Sequence, residues 1–157
     1  MGSLINGVTH LVTGLTIGVS LGYTKPLELA IIGVASLLPD IDRSQSLLGR
    51  YIPFAPTLIK WLLGKRTFTH SFIFCGLILG FLWNSGQTNI YLFMLGFGSH
   101  VVLDLLTGYV GVFFPFGKKV TLTVGVSPMV VETIYVLGLG AVFATNHSFF
   151  LKQLSNI

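Results

Sequence analysis

Apolar residues run in long blocks separated by short polar breaks, and the length of each block bounds what it can do. Residues 4–24 carry no Lys, Arg, Asp or Glu, which suffices for a crossing at about 20 residues per bilayer span. Lys25-Pro26 predicts a turn, and 27–38 is a shorter apolar run that ends at Pro39. At about 1.5 Å per residue that run falls short of a bilayer, so it starts deep, tilts or lies against other helices. The pattern breaks over 40–66, where FAPTLIKWLL at 54–63 reads as an amphipathic segment along the interface. From Thr67 to Leu103 there is again no Asp, Glu, Lys or Arg. The patch Asn84-Ser85-Gly86-Gln87-Thr88-Asn89 divides that stretch into crossings at 68–83 and 90–108. GYVGVFFPFG is too short to span and rich in helix breakers, and Lys118-Lys119 and a β-branched stretch at 120–126 follow it. A last crossing is expected at 128–146, with Glu132 near its start.

Composition gives the same class. Of 157 residues, 52% are hydrophobic and 9% charged, and the acids are Glu28, Asp40, Asp42, Asp104 and Glu132. A soluble domain usually has about 25% charged residues, so this chain cannot coat a water-facing surface. High apolar content without low-complexity runs excludes disorder. The expected fold is all-α: a polytopic membrane helical bundle of about four to five transmembrane helices with short re-entrant or interfacial segments. It forms a single integral membrane domain over 1–157. No cleavable leader is expected, because the N-terminus lacks Lys and Arg and shows no small-residue cleavage site. Cys75, the one cysteine, lies in an apolar run and reads as a small buried hydrophobe.

The net charge of +4 sits in loops, a pattern of membrane orientation and not of direct nucleic-acid binding. Counting all five crossings, one side holds Arg43, Arg50, Lys60, Lys65, Arg66, Lys118 and Lys119, and the other holds Lys25 and Lys152. Seven against two makes the first side cytoplasmic.

Ionisable groups inside membrane segments are costly, so each invites a functional question. His100 and Asp104 are four apart and share a helical face. Asp40 and Asp42 flank Ile41 at the end of 27–38, His70 opens 68–83, and His10 lies near the start of 4–24. Taken singly these have ordinary structural explanations: a histidine bonded between helices, or an aspartate capping a segment or pairing with Arg43. Taken together, His10, Asp40, Asp42, His70, His100, Asp104 and Glu132 fall on one predicted membrane face. His147 falls on the other and is read as interfacial.

Three histidines and three aspartates suit a divalent metal. Imidazole favours zinc, and carboxylates also admit manganese or magnesium. One or two ions are accommodated, and such ions activate water in phosphoester hydrolysis. Arg66, beside His70, is a candidate for holding a phosphate or carboxylate bidentately, and Glu132 joins it as a candidate catalytic group. The leading expectation is an α-helical membrane hydrolase with a metal site at the cytoplasmic interface. Its partners are membrane lipids and an amphipathic or lipid substrate. Alternatives are a metal-ion or proton transporter, or a regulatory protein whose 43–66 loop docks a cytoplasmic partner.

The ordered blocks THLVTGL, LLPDIDRSQSLLG, KRTFTHS and GSHVVLDLLTGYVGVFFPF resemble the YdjM-like family. That resemblance implies a bacterial inner-membrane protein described as a metal-dependent hydrolase, with LexA binding also in the family label. It implies His10, Asp40, Asp42, His70, His100 and Asp104 as the polar core. The family often has histidines where this chain has Arg43 and Lys65, so a single ion suits this chain better than two.

Overall fold

Four α-helices form among the residues that the computed structural model describes: 7–51, 54, 57, 61, 67–122, 129–130 and 133–138. Helix α1 (Gly7–Ser20) ends in a turn through Gly22, whose positive φ of 91° is open to a residue without Cβ. Helix α2 (Pro26–Leu37) starts on a proline, whose missing N–H is one that a helix start leaves unpaired. The Glu28 carboxylate accepts the Lys25 backbone N–H at 3.3 Å and closes this first turn. The run ends in a 3-10 turn, Leu38–Asp42, which carries Pro39, Asp40 and Asp42. Helix α3 (Phe72–Leu82) is capped by Ser71, whose hydroxyl accepts the Phe74 N–H at 3.2 Å. Helix α4 (Gln87–Thr107) follows Gly86, where φ is 101°.

The segment after α4 folds back on two helix ends. Val110 and Val120 exchange both backbone hydrogen bonds, at 2.8 and 2.9 Å, so the β-branched stretch supplies one antiparallel bridge. Leu122 donates its N–H to the Leu105 carbonyl at 2.8 Å, and Phe72 donates to the Val112 carbonyl at 3.0 Å. An orphan carbonyl at the end of α4 and an orphan N–H at the start of α3 are thereby paired.

The helices are shorter than the apolar blocks that encode them. Only α4, with 21 residues and a mean hydropathy of 1.6, is long and apolar enough among the described residues to cross a membrane. Helix α1 has 14 residues and not the 21 of the apolar block 4–24. At about 1.5 Å per residue it is roughly 21 Å long. The 68–83 block splits into α3 and flanking 3-10 turns at Phe68–His70 and Trp83–Ser85. In contrast, α4 takes Gln87, Thr88 and Asn89 into its first turn and begins earlier than the polar patch predicts. Of the 54–63 segment, Phe54, Thr57 and Trp61 are helical and exposed. Positions 129–130 and 133–138 are helical, and the rest of 128–146 lies outside the described residues.

Polarity is arranged inside out. The buried set is rich in polar side chains, including His10, Ser36, Asp40, Asp42, His70, His100 and Asp104. Large apolar groups such as Leu27, Phe81, Trp83 and Phe116 are exposed, and α3 buries no residue at all. Water would oppose this distribution and hydrocarbon would not.

Helix α2 packs against both α1 and α4. Small residues let the backbones approach. A Cβ added at Gly14 would stand 2.9 Å from the Ser36 Cβ, and one added at Gly96 would overlap the Ile32 carbonyl oxygen. This close approach brings the end of α2 alongside the C-terminal half of α4, where the polar groups are.

Candidate metal centre

Three elements deliver four groups to the same buried point. The turn after α2 carries Asp40, the turn before α3 carries His70, and α4 carries His100 and Asp104 one helical turn apart. One ligand atom from each of these four residues lies within 4.8 Å of the other three. Ligands about 2.0–2.2 Å from a zinc ion stand at most about 4.4 Å apart, so this spread is close to that of a coordination shell. Helix α1 adds His10, whose ring stacks on His100 with centroids 3.7 Å apart.

Asp104 is the hub. Its carboxylate lies 2.9 Å from His70 Nε2, 3.4 Å from His100 Nε2 and 3.5 Å from His10 Nε2. The first is a hydrogen bond and the other two are too long to be one. On the far side of its ring, His100 Nδ1 is 2.7 Å from the Ser36 carbonyl oxygen. A carbonyl can only accept, so Nδ1 carries the proton and donates it. Nε2 on the other side of the ring faces carboxylate oxygens of Asp104 and Asp40, 3.4 and 3.9 Å away. In the neutral ring this nitrogen is an acceptor, and acceptors facing acceptors in a buried site call for a proton or a metal cation between them. This backbone carbonyl also fixes the ring orientation, as outer partners of metal-bound histidines do. His70 is held in turn by Thr69, whose hydroxyl is 3.1 Å from Nδ1.

Charge points the same way. Asp40 and Asp104 bring two carboxylates into a low-dielectric interior, where negative charge needs compensation. Arg43 answers part of this, with Nη1 3.2 and 3.0 Å from the two oxygens of Asp40. Its side chain is 29% exposed, so it forms the edge of the cluster nearest solvent.

Of the residues singled out in the sequence, Asp40, His70, His100 and Asp104 form the compact group, and His10 stacks against it. Asp42 is buried in the same turn as Asp40 but is not one of the four. Arg66 and Glu132 lie outside the described residues. Sequence reading missed the Ser36 carbonyl, since a backbone acceptor has no residue signature. It also passed over Thr69, although a hydroxyl directly beside a histidine is a visible signal.

A protein of Bacillus subtilis, the uncharacterized protein YvsG, is 34% identical over 110 residues, covering 66% of this chain and 68% of its own. No solved structure matches the chain. The family described as YdjM inner membrane protein matches residues 5–154, which takes in every element of the cluster. The chain belongs to the YdjM inner membrane protein family.

Proposed function

We propose that this protein is a multi-pass hydrolase of the bacterial inner membrane, a single integral domain with one divalent ion, preferably zinc, near the cytoplasmic face. Its substrate is a phosphoester of an amphipathic or lipid molecule. The observation that carries the reading is the convergence of Asp40, His70, His100 and Asp104, with the His100 ring fixed by the Ser36 carbonyl so that Nε2 faces two carboxylates.

Asp40, His70, His100 and Asp104 would hold the ion, and His10 would border it. Bound there, a divalent ion supplies Lewis acidity toward an ester oxygen and makes water a competent nucleophile near neutral pH. The protein's own groups do the rest. Thr69 and Ser36 hold two imidazoles in place. Arg43 orients the Asp40 carboxylate and places a positive charge at the edge of the cluster, suited to an anionic oxygen. Arg66 and Glu132 complete the proposal as a second phosphate-binding cation and a proton-handling carboxylate. The apolar outer surface supports delivery of substrate laterally from the bilayer.

Metal analysis of the purified protein together with a phosphoester turnover screen tests this. About one ion per chain is expected, falling at least ten-fold in His100→Ala and Asp104→Ala along with turnover. A metal-free protein, or variants with unchanged metal content, would refute it. Metal uptake into proteoliposomes without turnover would favour transport instead.

A further inference from the structure

A cavity of about 460 Å³ opens beside the cluster, between α3, α4 and the 110–122 segment. Its wall includes His70, Met94, Gly98, Val102, Phe113 and Leu122. Sites of about 300–1,000 Å³ are typical for small molecules, but they usually carry several polar groups to orient the ligand. Here polarity is confined to one end, where His70 joins the cavity to Asp104 at 2.9 Å. Elsewhere the wall is hydrocarbon apart from the Cys75 thiol and Thr121, whose hydroxyl donates to the Leu105 carbonyl at 3.2 Å. Such a wall has nothing to offer a sugar, a nucleotide or a free phosphate.

Helix α4 shows that the space is made and not left over. Gly96 and Gly98 are two residues apart and so point about 200° away from each other. Gly96 is required by packing, because a Cβ there overlaps the Ile32 carbonyl oxygen. Gly98 is required by no protein contact, since a Cβ there meets nothing within 4 Å. It nevertheless costs the helix about 1 kcal/mol relative to alanine. What it leaves open is part of the cavity that it lines.

We propose that this groove seats one hydrocarbon chain of a membrane lipid, with the polar end of that lipid at His70. The inference rests on the hydrolase reading and narrows it: the scissile ester is attached to a long alkyl or isoprenoid chain that lies along α4. The inner membrane supplies chains of both kinds, and the apolar wall fits their shared chemistry.

The full-length protein in nanodiscs doped with a phospholipid bearing a diazirine on its acyl chain provides the test, with a polyprenyl phosphate bearing the same group as a second arm. Photolabelling at Met94, Val102 and Leu122 is expected at several times the level at Leu27 and Val34, exposed apolar positions on α2. The arm that labels more strongly identifies the source of the chain. Gly98→Trp fills the groove and should lower labelling at the three positions at least ten-fold. Gly80→Trp, which also enters open space but outside the groove, should not. If Gly98→Trp fails to fold, Gly98→Leu replaces it. The wild-type contrast with α2 decides independently. Groove labelling no higher than that at Leu27 and Val34, or unchanged labelling in the Gly98 variants, overturns the inference. Metal content measured on the same samples separates the two readings. Intact metal without groove labelling removes only the lipid chain. Groove labelling of a metal-free protein removes the hydrolase, and with it the scissile ester, and leaves the seated chain.

Discussion

Asp40 and Asp104 show how differently two buried carboxylates can be partnered. Asp104 gathers three imidazoles, at 2.9, 3.4 and 3.5 Å. Asp40 instead shares both its oxygens with one guanidinium nitrogen. The His100/Asp104 pair was legible in the sequence because a spacing of four fixes a common helical face. The loop topology brought Asp40 and His70 to the same membrane face, but their meeting at one point was not legible, because that depends on a turn after α2 and another before α3. Arg43 and a bound ion would compensate the same carboxylate, so they are thermodynamically linked. Arg43→Ala should lower stability by about 1 kcal/mol without metal, a modest cost because the guanidinium is partly solvated. That corresponds to a few degrees in unfolding temperature for a chain of about this size. Zinc should then raise the unfolding temperature of Arg43→Ala by more than it raises that of the wild type. Equal metal-induced shifts in thermal unfolding would uncouple Arg43 from the site.

Helix ends were harder to read than helix existence. Hydropathy follows the apolar block, whereas the helix stops where the backbone turns. The 4–24 block therefore yields α1 only as far as Ser20, and the 68–83 block gives its first residues to a 3-10 turn that aims His70 inward. Conversely, Gln87, Thr88 and Asn89 look like a loop by composition yet open α4, since the first turn of a helix tolerates polar residues well. The packing of α2 against α4 was hidden for another reason: it rests on what a glycine does not contain. Gly96→Val should force α2 outward, carrying the Ser36 carbonyl and Asp40 away from His100. Overpacking of this kind costs about 1–3 kcal/mol. A lower unfolding temperature and reduced metal content are expected together in Gly96→Val. Gly98→Ala should keep its metal and match or exceed wild-type stability, by up to about 1 kcal/mol of helix propensity. Similar behaviour of the two variants in thermal unfolding and metal analysis would show that α4 does not distinguish its two glycine faces.

At the scale of the whole molecule, the sequence placed the candidate ligands at one end of the bundle before any contact was known. In the structure the end of α2, the start of α3 and the C-terminal half of α4 do meet at one end. Trp83–Ser85 and the start of α4 lie at the other end of these two helices, since α4 runs 21 residues, or about 31 Å, from Gln87 to Thr107. What the sequence could not fix is whether short α1 and α2 count as full crossings, because length alone leaves their depth open. The proposed orientation rests on loop charge, with Arg43, Arg50, Lys118 and Lys119 assigned to the cluster end. A Cys75→Ser background leaves no native thiol, so single cysteines report sidedness cleanly. Tyr51 and Asn84 are exposed positions near the two opposite ends. In intact cells an impermeant maleimide should label Asn84→Cys and spare Tyr51→Cys, and inverted vesicles should reverse the pattern. Labelling of both from one side would mean that the α3–α4 hairpin does not traverse the membrane. A cluster accessible from outside would instead reverse the orientation and remove the cytoplasmic face from the proposed reaction. Either result would leave the geometry around Asp104 intact, because that geometry depends on helix packing and not on which side of the bilayer the packing faces.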